Sequence, residues 1–266
     1  MNKRKMSVAG SFYPESSIEI TTMIDYFNTV LESHPDVAAR FDALRGNAVI
    51  VPHAGWVYSG FTANIAFRIL SHSFPKTIIV IGPSHKVGFE GVSITDNEIY
   101  QTPLGDLEID TVLVEELKKR FSLSTFPEAH HEHSTEVQMP FIKHYLSDVK
   151  VVEMVYAHAD PLQISPVIDY LLNQPDTTVV ISTDLSHYYS LDEAIELDLI
   201  CLEAIRNENS TMLHQGCEAC GKIGVEAMLD IANKRTMEAI LLDYRTSADA
   251  SGDSSRVVGY ASALFR

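Results

Sequence analysis

The 266-residue sequence predicts a single α/β domain with a central, mostly parallel or mixed sheet flanked by helices. Two observations lead to this fold class. Continuous apolar, β-branched runs recur along the chain, and such runs are typical of strands covered on both faces. Amphipathic segments alternate with these runs, which favours parallel strands joined by crossover helices. Since no linker or repeat divides the chain, residues 1–266 are expected to form one domain.

Buried strands and intervening helices follow from these patterns. The strands are predicted at 48–51, 77–81, 149–155 and 178–181. The helices are predicted at about 16–32, 60–71, 111–120, 161–173, 190–207 and 221–232. Near the C-terminus, apolar stretches at 238–244 and 256–265 flank a small polar loop, which indicates a hairpin-type connection or a mobile flap.

Composition and charge narrow the classes of function. The chain has 20 lysines and arginines against 36 aspartates and glutamates, which gives a formal net charge of −16. Such a surface repels phosphates and anionic lipid headgroups, so neither nucleic-acid nor membrane binding is expected. The odd, sparse count of three cysteines argues against a secreted disulfide framework. No apolar stretch is long enough for a transmembrane helix or a signal peptide, and together these features predict a cytoplasmic protein.

Three of the predicted strands end in a turn that carries a histidine. His53 follows the first strand, His85 follows the second, and His187 follows the fourth, with Asp184 just before it. Ligands bind at the carboxyl ends of the strands in open α/β sheets, so these side chains can converge on one point. Neutral imidazole is a common metal ligand, and Asp184 could ligate a metal or orient a neighbouring ring. The alternative is that each histidine only caps its turn or hydrogen-bonds a carbonyl group.

Cys217 and Cys220 form a Cys-x-x-Cys pair just before the last predicted helix. Such a pair can be a redox couple or half of a zinc site, but no second pair completes a four-cysteine site. The helix dipole is expected to lower the pKa of the Cys220 thiol, which suits a thiolate ligand or a nucleophile. The third cysteine, Cys201, fits a small buried side chain.

A histidine-dense segment at 130–140 is a further candidate region. His130 and His131 are expected in a solvated loop, whereas His133 and Glu136 could approach the site from outside the ligand group. Trp56, the only tryptophan, either forms a wall of the cleft or packs in the core.

Short motifs that occur in order between residues 9 and 262 carry a family resemblance. They are AGSFYP (9–14), PHAG (52–55) with YSG (58–60), GPSH (82–85), EHSTE (132–136), TDLSH (183–187), CG (220–221) and SRVVGYAS (255–262). Together they resemble the Memo family, also called the AmmeMemoRadiSam system protein B family. Because the motifs are ordered and span nearly the whole chain, the resemblance is highly specific.

The resemblance implies a fold similar to the catalytic subunit of class III extradiol ring-cleavage dioxygenases, which hold non-haem Fe(II) with two histidines and a carboxylate. Memo-like proteins keep the two histidines and carry a cysteine in place of the carboxylate. The matching positions imply His53, His85 and Cys220 as ligands of a copper or iron ion. Asp184 and His187 are implied to line the same cleft.

We take His187, Asp184 and His133 as the candidate catalytic residues. Two departures from the family pattern concern the ligand of the pocket more than its metal. Trp56 stands where a tyrosine is usual, and Lys86 follows the second histidine, where a small, polar or histidine residue is common.

Three functions are open at this point. The first is a metal-dependent oxidoreductase with redox or oxygenase-like activity. The second is a non-enzymatic binding module, since animal members of the family act as signalling adaptors in receptor-driven motility, with the cleft holding a peptide or small ligand. The third is a metal-free hydrolase in which Cys220 is the nucleophile, His187 the base and Asp184 the group that orients it.

Overall fold

Strands and helices alternate through the computed structural model, which describes residues 2–266. The strands are β1 (Lys3–Arg4), β2 (Ala48–Val51), β3 (Thr77–Pro83), β4 (Val92–Ile94), β5 (Ile99–Thr102), β6 (Gly105–Ile109), β7 (Lys150–Tyr156), β8 (Thr177–Ser182), β9 (His187–Tyr189), β10 (Ala239–Thr246) and β11 (Val257–Phe265). The α-helices are α1 (Ser17–Glu32), α2 (Pro35–Asp42), α3 (Trp56–Ser71), α4 (Thr111–Phe121), α5 (His133–Glu136), α6 (Met139–Tyr145), α7 (Pro161–Leu171), α8 (Leu191–Arg206), α9 (Lys222–Arg235) and α10 (Ala248–Ser251). Two 3₁₀ helices cover Pro127–His130 and Ser210–Gln215.

The four predicted apolar runs are the centre of the sheet. In the part of the chain from residue 2 onward, the strand order is β1-β5-β6-β7-β3-β8-β2-β11-β10, with β4 on β7 and β9 on β11. The strands β7, β3, β8 and β2 are parallel neighbours, and all their residues except Lys150 are buried. Burial on both faces explains why unbroken apolar runs encode them. The sheet is continuous through β7, so the chain is a single α/β domain rather than two units divided near residue 150.

The predicted helices are confirmed, and two of them begin with capping boxes. Asp160 accepts a hydrogen bond from Leu162 N at 2.8 Å and completes a capping box with Gln163 at the start of α7, where Pro161 occupies the first helical position. Ser190 and Glu193 form a second capping box at the start of α8. These side chains satisfy amide groups that the first helical turn leaves without partners, which fixes where each helix begins.

The C-terminal stretches form the predicted hairpin. The strands β10 and β11 are antiparallel, and β11 also pairs with β2, so the hairpin closes one side of the parallel centre. The polar loop between the strands contains the short helix α10. Both strands of the hairpin therefore belong to the sheet that carries the candidate site, with β10 at its edge.

The other side of the sheet was not predicted. The helix α2 and the strands β4, β5 and β6 lie outside the predicted elements. In β5 the burial of residues alternates, and β6 is mostly exposed, so neither has a continuous apolar run. No helix among residues 2–266 combines the length and apolarity that crossing a membrane requires.

Candidate metal centre

Adjacent strand ends place the predicted residues at one edge of the sheet. Because β8 lies between β2 and β3, the turns that follow these three strands are neighbours. Val51 is paired with Ser182, and the residues two positions later, His53 and Asp184, face each other across the turns. Asp184 Oδ1 accepts a hydrogen bond from His53 N at 2.6 Å. The register of two parallel strands therefore fixes the relative position of His53 and Asp184.

Cys220 is held on the turn that follows β8. Its backbone N–H donates to Asp184 O at 3.2 Å, and the next amide, Gly221 N, donates to Thr183 Oγ1 at 2.8 Å. A Cβ on Gly221 would lie 2.6 Å from Thr183 Cβ and 2.7 Å from Ser182 O, so only glycine permits this close approach. The Cys220-Gly221 pair is thus required for the segment to reach the sheet.

The ligand atoms of His53, His85 and Cys220 lie within 4.8 Å of one another. The shortest recorded contact among them joins Cys220 Sγ and His53 Nε2 at 3.2 Å. His53 is buried, whereas Cys220 is partly buried and His85 is exposed. The cluster is therefore buried at His53 and open to solvent at His85.

Ser182 determines which nitrogen of His53 carries the proton. The Ser182 hydroxyl donates its one hydrogen to Ser134 O at 2.5 Å, so it can only accept from the ring atom His53 Nδ1 at 2.9 Å. Gln138 Nε2 donates to the same hydroxyl at 3.1 Å. The proton of His53 is thus on Nδ1, and the lone pair of Nε2 faces Cys220.

Glu132 determines which ring nitrogen carries the proton in His85 and in His133. Glu132 Oε1 lies 3.2 Å from His85 Nδ1 and 2.7 Å from His133 Nδ1, and Glu132 Oε2 accepts from His85 N at 2.7 Å. Burial would raise the pKa of Glu132, but the hydrogen bonds from His133 and His85 lower it below its usual value. An ionised carboxylate only accepts hydrogen bonds, so both rings donate from Nδ1 and leave Nε2 free.

The three candidate catalytic residues surround this cluster in different ways. The ring of His133 lies 4.6 Å from the ring of His85 and 5.4 Å from that of His53, measured between centroids. His187 begins β9 and is paired with Val258 of β11. A positive charge on His187 would lower the pKa of both Asp184 and His53, so it lies within electrostatic range of the cluster.

The ionisable groups at the centre favour neutral donors in the absence of a cation. Burial lowers the pKa of His53, and the nearby His85 and His133 lower it further. Burial raises the pKa of Asp184, although the hydrogen bond from His53 N opposes this effect. Burial, followed by the charge of Asp184, raises the pKa of Cys220 to about 12. The expected lowering of the Cys220 pKa by the helix dipole is therefore wrong, because desolvation outweighs it.

This donor set fits a soft or borderline first-row cation. Two neutral imidazoles and a thiol match the ligand preferences of copper, iron and zinc. A thiol with a raised pKa must release its proton to bind a metal, so metal uptake would be coupled to proton release. The arrangement provides three donors and leaves further coordination positions for a small molecule.

The structure corrects the expectations for Glu136 and His130 and decides between the two alternatives for Trp56. Glu136 lies away from the centre, because its side chain points toward the N-terminal segment. There it accepts hydrogen bonds from Ser7 N and Val8 N. His130 is buried rather than solvated, since its Nδ1 lies 2.8 Å from Glu153 Oε2. Trp56 packs in the core, with its ring stacked on Phe141 at 3.9 Å. Glu132 and Ser182, rather than Glu136, orient the histidine rings of the centre.

The Cys-x-x-Cys pair is not a redox couple in this structure, because Cys217 forms a disulfide bond with Cys201. Cys220 is the free cysteine of the described residues. The 3₁₀ helix at Ser210–Gln215 turns the chain back so that Cys217 reaches α8, which carries Cys201. Disulfides are rare in reducing compartments, so this bond removes the cysteine argument for a cytoplasmic location.

A cavity of about 390 Å³ opens beside the cluster. His85 and Cys220 form part of its wall, together with the loop that follows β3. A small molecule bound here would lie beside His85 and Cys220 of the centre.

The fold and the site define an α/β protein with a two-histidine, one-cysteine cluster at the carboxyl edge of its sheet. The model of the Memo family, described as Memo-like protein, matches residues 4–264. A MEMO1 family protein of Desulfurococcus amylolyticus is 31% identical over 100% of this chain and 99% of its own length. MEMO1 family proteins of Aquifex aeolicus and Methanobrevibacter smithii are 30% and 32% identical, with at least 99% of each chain covered. The chain belongs to the Memo family.

Proposed function

We propose that this protein binds one copper or iron ion through His53 Nε2, His85 Nε2 and Cys220 Sγ, and that it is an oxidoreductase acting on a small molecule in the adjoining cavity. The observation that carries the proposal is the convergence of these three ligand atoms within 4.8 Å. The resemblance to non-haem dioxygenase sites supports the same choice of metals.

The hydrogen bonds around the cluster support metal binding over a structural role. Both imidazoles donate from Nδ1 to protein acceptors, Ser182 Oγ and Glu132 Oε1. Their Nε2 lone pairs are therefore directed away from those acceptors and remain available to a cation. Metal-ligating histidines usually have such a partner on the second nitrogen.

The bound ion would supply a redox-active Lewis acid at the end of the cavity. The chain's own residues would set its surroundings. Asp184 is buried beside His53, and burial raises its pKa, although the backbone hydrogen bonds from His53 and Ala54 oppose this effect. His187 and His133 lie near the same point, and both are only partly buried.

The metal-free hydrolase is disfavoured by two observations. The nearest ring nitrogen to Cys220 Sγ is that of His53 rather than His187, and Asp184 binds the backbone of His53. A thiol whose pKa is raised to about 12 is a poor nucleophile at neutral pH. A binding module that holds a metal without turnover is the remaining alternative, and a measurement of oxygen uptake distinguishes it from an enzyme.

The decisive experiment is metal analysis of protein purified without oxygen and loaded with ferrous or cuprous ion. The parent protein is expected to hold one equivalent, and Cys220→Ser and His85→Ala are each expected to lose it. The matched control His214→Ala removes an exposed histidine that contacts Glu226 outside the cluster, and this variant should retain the metal.

Two further results would test whether the protein is an oxidoreductase and whether the centre binds a metal. Oxygen consumption by the loaded protein in the presence of reductant, absent in Cys220→Ser, would support an oxidoreductase. If Cys220→Ser and His85→Ala both bind metal like the parent, the centre is not a metal site.

A further inference from the structure

The cavity beside the cluster has a charge that differs from the rest of the protein. The chain carries 36 acidic residues, yet none of them lines this cavity. Its polar lining includes Lys86, His158 and His85, and its apolar lining includes Val87 and Ile223. Lys86 is the one lysine or arginine of this lining, so on a molecule with a net charge of −16 the cavity favours an anionic ligand.

Lys86 has hydrogen-bonding capacity that the protein leaves available. Its ammonium group donates to His131 O at 2.9 Å, and it forms no ion pair with any residue from 2 to 266. An ammonium group has three N–H donors, so two remain for a ligand. Carboxylates neutralise many other cations of this protein, for example Lys3 by Asp106 and Lys234 by Asp169.

His158 lies against the same loop. A Cβ on Gly88 would be 3.6 Å from His158 Nε2, so the ring contacts the backbone two residues after Lys86. Within the described chain the ring makes no hydrogen bond or ion pair. The loop itself is fixed by Ser84, whose hydroxyl donates to Val87 O at 2.7 Å. Lys86 and His158 therefore lie on two neighbouring loops, and both line the cavity.

We propose that this cavity binds a small molecule with one carboxylate group and an apolar body, and that Lys86 and His158 hold the carboxylate. The apolar body would lie along Ile223 and face Cys220. One ammonium and one imidazole match a single negative charge, whereas a phosphate dianion would require more cationic groups to overcome the acidic surface. Binding of the carboxylate needs no metal and does not depend on the proposed function. Only a reaction of the bound molecule at the metal would rest on that function.

Calorimetric titration of the metal-free, chelator-treated protein tests the inference. The probes are pentanoate, its neutral analogue pentanamide of matched size, and inorganic phosphate. Pentanoate is expected to bind more tightly than both. Lys86→Met should weaken pentanoate binding about two- to fivefold, as expected for an exposed ion pair, and Lys86→Met with His158→Ala about tenfold.

The control Lys119→Met removes an exposed lysine of α4, remote in sequence from the cavity loop, and should leave pentanoate binding unchanged. Equal binding of pentanamide and pentanoate would overturn the inference, as would phosphate binding as tight as that of pentanoate or an unchanged affinity in the double variant. Because no metal is present, failure here leaves the metal analysis of the Cys220 and His85 variants unaffected, and failure of that analysis leaves this result unaffected.

Discussion

The molecule contains two clusters of buried ionisable groups that differ in how completely they are paired. The first, here called the N-terminal network, consists of Arg4, Glu136, Glu153 and His130. In this network His130 has both ring nitrogens occupied, by Glu153 Oε2 at 2.8 Å and by Ser93 Oγ at 2.8 Å. At the candidate metal centre, His53 and His85 have protein acceptors only at Nδ1, and His53 Nε2 faces the Cys220 thiol. A histidine with a carboxylate or hydroxyl partner on each ring nitrogen is structural, whereas one whose second nitrogen faces other ligand atoms is available to bind a ligand.

The N-terminal network also pairs its strongest charges. Arg4 Nη1 lies 2.6 Å from Glu136 Oε2, and both side chains are buried. Glu136 additionally accepts from Ser7 N and from Tyr13 Oη, each at 2.8 Å. The network thus attaches the first residues of the chain to α5, and its contribution is to stability. The comparison predicts that substitutions in the network change stability, whereas substitutions at the centre change metal affinity.

The largest effect is expected from Glu136→Gln. This change removes the carboxylate that contacts the buried Arg4 guanidinium and leaves Glu153 as the remaining nearby carboxylate, so the free energy of unfolding should fall by up to about 3–5 kcal/mol. Urea denaturation measures the loss. Replacing both residues, as Arg4→Met with Glu136→Leu, should restore part of the stability, because both charges of the pair are then removed and Glu153 keeps His130 as a partner. Metal affinity of the folded variant should equal that of the parent.

The loss of unfolding free energy caused by Glu136→Gln should depend on pH. Burial would raise the pKa of Glu136, but Arg4 and the hydrogen bonds lower it below the reference value of 4.5. The stabilising contribution is therefore fully present above about pH 4.5 and is lost as the pH falls through the lowered pKa. The difference in unfolding free energy between parent and Glu136→Gln should be largest near neutral pH and should narrow in acid. A constant difference over this range would contradict the pairing.

The second effect concerns the disulfide. Cys201 and Cys217 are separated by 16 positions, and opening a loop of this length should lower the unfolding free energy by about 3 kcal/mol. The double variant Cys201→Ser with Cys217→Ser tests this, and a thiol reductant should destabilise the parent but leave the variant unchanged. Cys220 is tied separately to Asp184 and Thr183, so the variant is expected to keep its metal affinity. Loss of metal in this variant would show that the disulfide holds Cys220 in place.

The sequence predicts the parallel centre of the sheet and the positions of His53 and His85, because both depend on apolar runs and on what directly follows them. The orienting residues are not predictable in this way. Glu132 belongs to a segment that reaches the site only through tertiary packing, and the direction of the Ser182 side chain depends on strand register. The Cys201 pairing depends on the fold of the intervening loop, and an odd number of cysteines concealed it. In β5 the burial alternates along the strand, but the sequence Ile-Tyr-Gln-Thr places two apolar residues before two polar ones, so no alternating pattern marks the strand.

The third effect is expected at Glu132, the residue that orients two histidines. Glu132→Gln removes the negative charge and allows an amide hydrogen to face the Nδ1–H groups. Metal affinity should fall by about 10- to 100-fold, the usual consequence of removing such a partner. Competition with a chelator measures the affinity. The control Glu128→Gln changes an exposed glutamate in the preceding 3₁₀ helix and should leave metal affinity unchanged. Equal affinities of the two variants would show that Glu132 does not orient the ligands.

The smallest effect is expected from Ser182→Ala, because Ser182 is a neutral acceptor. Without the hydroxyl, His53 can move its proton from Nδ1 to Nε2, and the proton then blocks the nitrogen that faces Cys220. The expected loss of metal affinity is about tenfold or less, which corresponds to one neutral hydrogen bond. Nitrogen NMR of the metal-free protein should show the Nδ1–H tautomer of His53 in the parent and a mixture in the variant. Ser262→Ala is the matched control, since this serine is equally buried but its hydroxyl has no partner among the described residues. An unchanged tautomer in Ser182→Ala would mean that other groups around His53 fix its proton, and the orienting role would then belong to them rather than to Ser182.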